Sequence, residues 1–186
     1  MEREQRGWLV GARHVPSPNY DDRPEGEDVS LVVIHGMSLP PGEYGGAWID
    51  ALFTNSLDVN AHPFFAEIAG LKVSSHFLIR RDGELVQYVS LDKRAWHAGH
   101  SCFEGRLRCN DFSVGIELEG CGDELYEEAQ YRQLATLLTW LMRRYPAISA
   151  RRIVGHCDIA PGRKTDPGEA FDWARLVRDI GPLGRD

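Results

Sequence analysis

The chain has 186 residues, with 21 basic and 28 acidic side chains and a formal net charge of −7. That length suits one domain, residues 1–186, able to bury about 70% of its unfolded surface without disulfide or metal. The acidic balance argues against a nucleic-acid partner, and no run reaches the ~20 apolar residues of a membrane span, so no membrane partner is expected either.

The N-terminus, MEREQRGWLV, carries charges of both signs and no apolar core of signal-peptide length, so a cytoplasmic protein is expected. Residues 1–30 show little periodicity and are rich in proline, glycine and charge. They read as an irregular arm packed on the domain and tacked down by Trp8, Leu9 and Val10. Leu31 to His35 is a continuous apolar run ended by Gly36, the pattern of a buried central strand that presents His35 at its C-terminal end. Ser38 to Gly46 is a loop by composition. Ala47 to Phe53 and His62 to Ala69 read as short helices, with Pro63 suited to a first turn. Ser75 to Arg81 and Glu84 to Ser90 read as strands joined by a two-residue hairpin at Asp82-Gly83, which makes the sheet mixed.

Leu91 to Asp111 lacks clear periodicity but is dense in Lys93, Arg94, Trp96, His97, His100, Arg106, Arg108 and Asn110. The next stretch alternates. Phe112, Val114, Ile116 and Leu118 face one side of a strand, and Ser113, Gly115, Glu117 and Glu119 the other. Glu124 to Tyr145 carries the apolar stripe Tyr131, Leu134, Leu138 and Leu141, and reads as the longest helix, stopped by Pro146. Arg152 to His156 reads as a last short strand, and Phe171 to Ile180 as an amphipathic helix covering the sheet. The fold class expected is α/β of the α+β type, one domain with a central mixed sheet flanked by helices.

The chemistry-bearing stretch is Ile153 to Gly168, IVGHCDIAPGRKTDPG. An apolar run delivers His156, and a Pro/Gly-framed loop carries Lys164 and Asp166. The bland alternative is a polar turn with a surface ion pair between those two. His35, His156 and Asp166 together are the donor set of a catalytic zinc, one ion per chain, with the fourth position left for water. Cys157 adjoins His156, but neighbours in a strand point to opposite faces, so it is not expected to ligate. The four cysteines form no CxxC pair. A hydrolase needs a general base near the water and a cation for the developing oxyanion. Glu117 and Glu119 are equally placed as the base, and Lys164 is a candidate for the cation or for protonating a leaving amine.

These segments resemble the type-2 N-acetylmuramoyl-L-alanine amidases, and within them the AmpD group, the cytoplasmic 1,6-anhydro-N-acetylmuramyl-L-alanine amidases. The resemblance runs through GWLVGARHVPSPNYD, LVVIHGMSLPPGEYGG, VSSHFLIRRDGELVQYV, DKRAWHAG, RCNDFSVGIELEG, GHCDIAPGRKTDPG and FDWARL. It implies zinc-dependent cleavage of the amide between (anhydro)muramic acid and L-alanine of a small-molecule muropeptide; a monomer is the separate expectation for the assembly. It implies His35, His156 and Asp166 as zinc ligands, Glu117 as catalytic glutamate and Lys164 as the assisting lysine. Trp96 and His97 match a wall of the substrate pocket. Arg108 and Asn110 match the stretch that meets the peptide carboxylates, with Lys93, Arg94 and Arg106 as further cations. Three departures stand out. Gly36 replaces the group's usual Asn. Ser75 occupies the place of a tyrosine in related phage amidases and peptidoglycan-recognition proteins. The third ligand matches Asp166 rather than cysteine. A non-catalytic sensor on the same fold would lack a ligand, and a zinc peptidase of another fold would need an HExxH helix, which is absent.

Overall fold

The computed structural model describes residues 4–181; the first three residues of the expected arm and residues 182–186 lie outside it. Six strands make the main sheet: β1 (Arg13–His14), β2 (Leu31–Met37), β3 (Phe77–Ile79), β4 (Leu85–Gln87), β5 (Ser113–Glu119) and β6 (Ile153–Gly155), in the order β6-β2-β5-β3-β4-β1. Strands β2, β3, β5 and β6 run parallel, β4 lies antiparallel to β3, and β1 lies parallel to β4. The sheet is mixed, as expected.

The helices are α1 (Trp48–Phe53), α2 (Pro63–Glu67), α3 (Glu128–Arg144), α4 (His156–Ile159) and α5 (Trp173–Asp179). One face of the sheet packs Val32, Ile34, Phe77, Ile79, Val114, Ile116 and Leu118 against the apolar stripe of α3 and against Leu176 of α5. Helix α3 is pinned over the sheet end by buried Gln130, which donates to the carbonyls of Ile79 and Glu119. The opposite face is covered at two places. Leu78 and Val86 pack beneath α1 and Phe65 of α2, while Leu31 and Val33 pack with Ala98, Cys109, Phe112 and Ile159. Ser113, Gly115 and Glu117 of β5 lie on this second face, in register with Leu31, Val33 and His35 of β2.

Several details differ from the sequence reading; among them, Val10 is exposed instead of tacking the arm down, and Phe112 packs with Leu31 and Val33 on the face opposite Val114. The arm is not irregular throughout: Arg13–His14 supplies the edge strand β1, and two short ribbons form at Glu4–Gln5 with Trp8–Leu9 and at Tyr20–Asp22 with Lys93–Ala95. The hairpin turn has three residues, Arg81 to Gly83, because Arg80 pairs with Glu84 across it and Gly83 sits at φ +88°, where glycine is favoured. The strand holding Glu117 and Glu119 is buried along its whole length, with neither face in water. Strand β6 stops at Gly155, and His156 opens a helix instead, because Asp158 Oδ2 accepts the Gly155 N–H at 2.7 Å and starts a turn.

Candidate metal centre and active site

Parallel strands in an α/β sheet present their ligand groups at their C-terminal ends. Here β2 delivers His35, β5 delivers Glu117 opposite it, and β6 leads into His156. The loop after α4 folds back so that the Asp166 carbonyl accepts the Cys157 N–H at 3.0 Å. That return places the Asp166 carboxylate beside both imidazoles.

The three polar atoms converge. His35 Nδ1 and His156 Nδ1 are 3.0 Å apart, and Asp166 Oδ2 lies 3.1 Å from the first and 3.0 Å from the second. Both rings are buried. His156 Nε2 lies 3.2 Å from the Ala98 carbonyl, which only accepts, so Nε2 carries the proton and Nδ1 of the neutral ring is bare. His35 Nε2 is 2.9 Å from His97 Nδ1, and His97 Nε2 is 3.1 Å from Ser113 Oγ. Run outward toward the serine, this relay leaves His35 Nδ1 bare as well. Burial pushes the His35 imidazole down to about 4, so the ring is neutral at physiological pH. Two lone pairs and a carboxylate oxygen then face one point, and a cation is what satisfies all three. Ligands about 2.0 Å from a tetrahedral zinc lie roughly 3.3 Å from one another, close to the triangle found here. Among the described residues, His35, His156 and Asp166 form a group able to hold a metal ion, and Cys157 is not part of it. Lys164 does not pair with Asp166 among the ion pairs of the described residues; the acidic group is turned inward.

Glu117 and Glu119, inseparable by pattern, have different surroundings. Glu119 is 2% exposed and spent on structure. It accepts the Gly45 N–H at 2.7 Å and the Arg81 N–H at 3.2 Å, and it pairs with Arg80. Glu117 is 8% exposed, and its Oε2 has no hydrogen-bond partner among the described residues. Burial, joined by the nearby Asp166 carboxylate and opposed by Lys164, holds the Glu117 carboxyl well above the usual carboxylate range. A buried acid next to a triangle able to hold a metal ion is a candidate for proton transfer.

Lys164 is exposed and lines an open cavity of about 360 Å³ with Gly36, Met37, Ser38, Gly120, Cys121, Gly122, Arg163 and Asp166. Trp96 is half-buried, its indole N–H donating to Asp21 at 3.1 Å. His97 is buried against His35, and its ring lies over Gly115, where a Cβ would stand 2.5 Å from it. The space that a side chain at Gly115 would take is thus filled by an imidazole. Asn110 Oδ1 accepts the backbone N–H groups of His97 and Ala98, fixing the segment that bonds to His156. Arg108 has a side chain 70% exposed, and its ion pair among the described residues is with Asp111.

The expected cation cluster is largely neutralised within the protein. Lys93 pairs with Asp22, Arg94 with Asp21 and Asp111, and Arg106 with Glu27. Sequence reasoning missed the support that His97 and Ser113 give to His35. A histidine in an aperiodic stretch and a serine on an alternating strand carry no signal that they meet.

Residues 25–169 match the model of the N-acetylmuramoyl-L-alanine amidase family Amidase_2. The chain is 66% identical over 172 residues to the 1,6-anhydro-N-acetylmuramyl-L-alanine amidase AmpD of Escherichia coli (strain K12), covering 92% of this chain and 93% of that one. A crystal structure of a selenomethionine AmpD derivative is similar at a TM-score of 0.92 and 63% identity, covering 95% of this chain and 98% of the other. A complex of the E. coli amidase AmiD with the substrate anhydro-N-acetylmuramic acid-L-Ala-D-gamma-Glu-L-Lys is similar at 0.61 and 29% identity, covering 84% and 60%. With the family match spanning most of the sequence and a near relative's fold shared over almost all of it, the chain belongs to the type-2 N-acetylmuramoyl-L-alanine amidases, in their AmpD group.

Proposed function

We propose that this chain is a zinc-dependent amidase. It hydrolyses the amide between the lactyl group of 1,6-anhydro-N-acetylmuramic acid and L-alanine of the stem peptide, as a monomeric cytoplasmic enzyme of cell-wall muropeptide recycling. The observation that carries the reading is the triangle of His35 Nδ1, His156 Nδ1 and Asp166 Oδ2, with the unpartnered Glu117 on the adjoining strand. The name of the E. coli relative supports the anhydro sugar, and the AmiD complex supports a muropeptide ligand. The AmpD group's expected compartment supports the cytoplasmic role.

His35, His156 and Asp166 would hold one zinc ion, which supplies positive charge that acidifies water and polarises the scissile carbonyl. Glu117 takes the proton of the attacking water. Its raised affinity for protons, caused first by burial, suits a group that must accept one and later give it up. Lys164, on the rim of the open cavity, offers its ammonium to the tetrahedral oxyanion. Glu117, directly or through Lys164, returns the proton to the alanine nitrogen, which departs as an amine. Trp96 and His97 belong to a wall of the substrate pocket, and Arg108 with the Asn110 segment meets the peptide carboxylates.

The test is turnover on anhydromuramyl-tripeptide beside the non-anhydro muramyl-tripeptide, with metal analysis of the same batch. One zinc per chain and peptide release from the anhydro substrate alone is the expected result. Equal rates on both would discard the sugar specificity. Turnover in fully zinc-stripped protein would discard the metal reading.

A further inference from the structure

Asp166 differs from the other two members of the triangle. His35 lies within β2 and His156 directly follows β6, whereas Asp166 sits ten residues beyond His156 on a loop, so something else must hold its position. One side of the loop is tied to α4 through the Asp166 carbonyl and the Cys157 N–H. On the other side, the next carbonyl, that of Pro167, accepts the hydroxyl of Tyr126 at 2.8 Å.

Tyr126 is buried and lies just ahead of α3. Its ring packs edge-on to Phe171, with centroids 5.6 Å apart. It also lies close against two glycine backbones. A Cβ on Gly36 would stand 2.2 Å from the hydroxyl oxygen, and a Cβ on Gly120 would stand 2.4 Å from ring Cε1. Gly36 directly follows His35. Gly120 directly follows β5, three residues past Glu117. Pro167 directly follows Asp166. One side chain therefore touches the chain immediately beyond two of the three metal-binding residues and the end of the strand that carries the proposed base. Gly36, the departure from the group's usual Asn, is the position that leaves the hydroxyl its room.

We propose that Tyr126 is a positioning residue: its hydroxyl registers the Asp166 loop against the ends of β2 and β5, and so sets the third corner of the metal triangle. The inference rests on the metal reading above. Groups that orient ligands from behind typically cost 10- to 100-fold in metal affinity when lost. A tyrosine that only filled space would cost nothing there once its ring was kept.

The test measures the zinc dissociation constant by competition with a chromophoric chelator, for wild type, Tyr126→Phe, Gly36→Ala and the double variant. Melting temperatures of the stripped proteins are taken in parallel. Tyr126→Phe keeps the ring, so the stripped protein is expected to melt within about 4 °C of wild type, while zinc binding weakens about 10- to 100-fold. Gly36→Ala displaces the hydroxyl and weakens zinc in the wild-type background. In the Tyr126→Phe background the same change costs less, because the clashing oxygen is gone. Equal zinc affinity of Tyr126→Phe and wild type would overturn the proposal, whatever happens to the melting temperature. So would an undiminished Gly36→Ala penalty in the double variant. Wild-type protein that binds no zinc would overturn the metal reading itself, which separates the two failures.

Discussion

Exchanging each of the two neighbouring strand glutamates for glutamine should separate catalysis from stability. Glu119 accepts two backbone N–H bonds, at 2.7 and 3.2 Å, and pairs with Arg80. A glutamine keeps one accepting oxygen and turns an amide N–H toward a backbone donor. Hydrogen bonds to a charged group are worth about 1.5–3 kcal/mol each, and a buried donor left unpaired costs a similar amount. Arg80 keeps Asp50 and Glu84, so its loss is partial. A net cost of about 2–3 kcal/mol lowers the melting temperature of a chain this size by roughly 4–12 °C. Among the described residues, Glu117 Oε2 has no hydrogen-bond partner to lose. Glu117→Gln should therefore melt within roughly 3 °C of wild type, yet lose about 10²- to 10⁴-fold in kcat, the usual contribution of a positioned acid–base group. The assay is peptide release from anhydromuramyl-tripeptide by zinc-loaded protein at a temperature where every variant is folded, with thermal unfolding by circular dichroism. A Glu119→Gln variant that matches Glu117→Gln in lost kcat while melting like wild type would refute the assignment.

Arg108→Glu, on a largely exposed side chain with one local ion pair, should raise KM at least tenfold with the melting temperature nearly unchanged; equal damage to both would remove Arg108 from substrate binding. Stripping zinc with a chelator should abolish turnover and lower the melting temperature, since a ligand at 100 times its Kd stabilises by about 2.7 kcal/mol; differential scanning fluorimetry with and without added zinc reads this directly. His76 should make stability pH-dependent. Its Nδ1 accepts the Gly115 N–H and its Nε2 faces the Lys93 carbonyl, leaving no place for a second proton, and burial with the Arg23 guanidinium nearby pushes it down to about 3. The unfolded chain therefore binds a proton that the folded one refuses between about pH 6.5 and 3, so stability falls as pH drops, by about 2 kcal/mol from pH 6.5 to 5. His76→Asn should flatten that slope by one proton in urea titrations of the stripped protein at pH 7 and 5, and parallel curves for both proteins would exclude the effect.

The parts of the site legible in the sequence were those that local pattern encodes. His35 ends an unbroken apolar run and is followed by glycine, so a buried strand delivering a polar group is the economical reading. His156 follows a similar run, although its strand stops one residue earlier than the pattern suggests because Asp158 caps a turn there. Asp166 sits between Pro/Gly breaks that make a loop compulsory. What was not legible depends on partners distant in sequence. Alternation puts Glu117 and Glu119 on the same face, and only Gly45 and Arg80–Arg81, brought over by the fold, distinguish them. The relay from His35 through His97 to Ser113 spans segments with no shared periodicity. Strand β1 is two residues long, too short for any period to register.

The basic loop shows how tertiary partners change a reading of charge. Lys93, Arg94, Arg106 and Arg108 look in sequence like a cluster waiting for an acidic substrate, and an acidic protein with an acidic substrate needs local positive charge. The arm that precedes β2 supplies Asp21, Asp22 and Glu27 to three of those cations, and Asp111 takes a share of Arg94 and the fourth, Arg108. Arg94 and Asp111 meet largely out of water, but the more exposed pairs, Lys93–Asp22 and Arg106–Glu27, are worth little individually and are screened by salt. They therefore hold the arm to the loop without consuming much of the folding free energy. At the cavity beside Asp166, by contrast, Arg163 and Lys164 line the wall, and neither has a carboxylate partner among the ion pairs of the described residues. Arg163 is instead steadied by the carbonyls of Ala98 and His100, each at 2.7 Å, which orient a guanidinium without neutralising it. Positive potential is thus concentrated beside the metal triangle rather than along the whole loop, where the scissile bond, the developing oxyanion and the nearest peptide carboxylate would all lie within a Debye length of it.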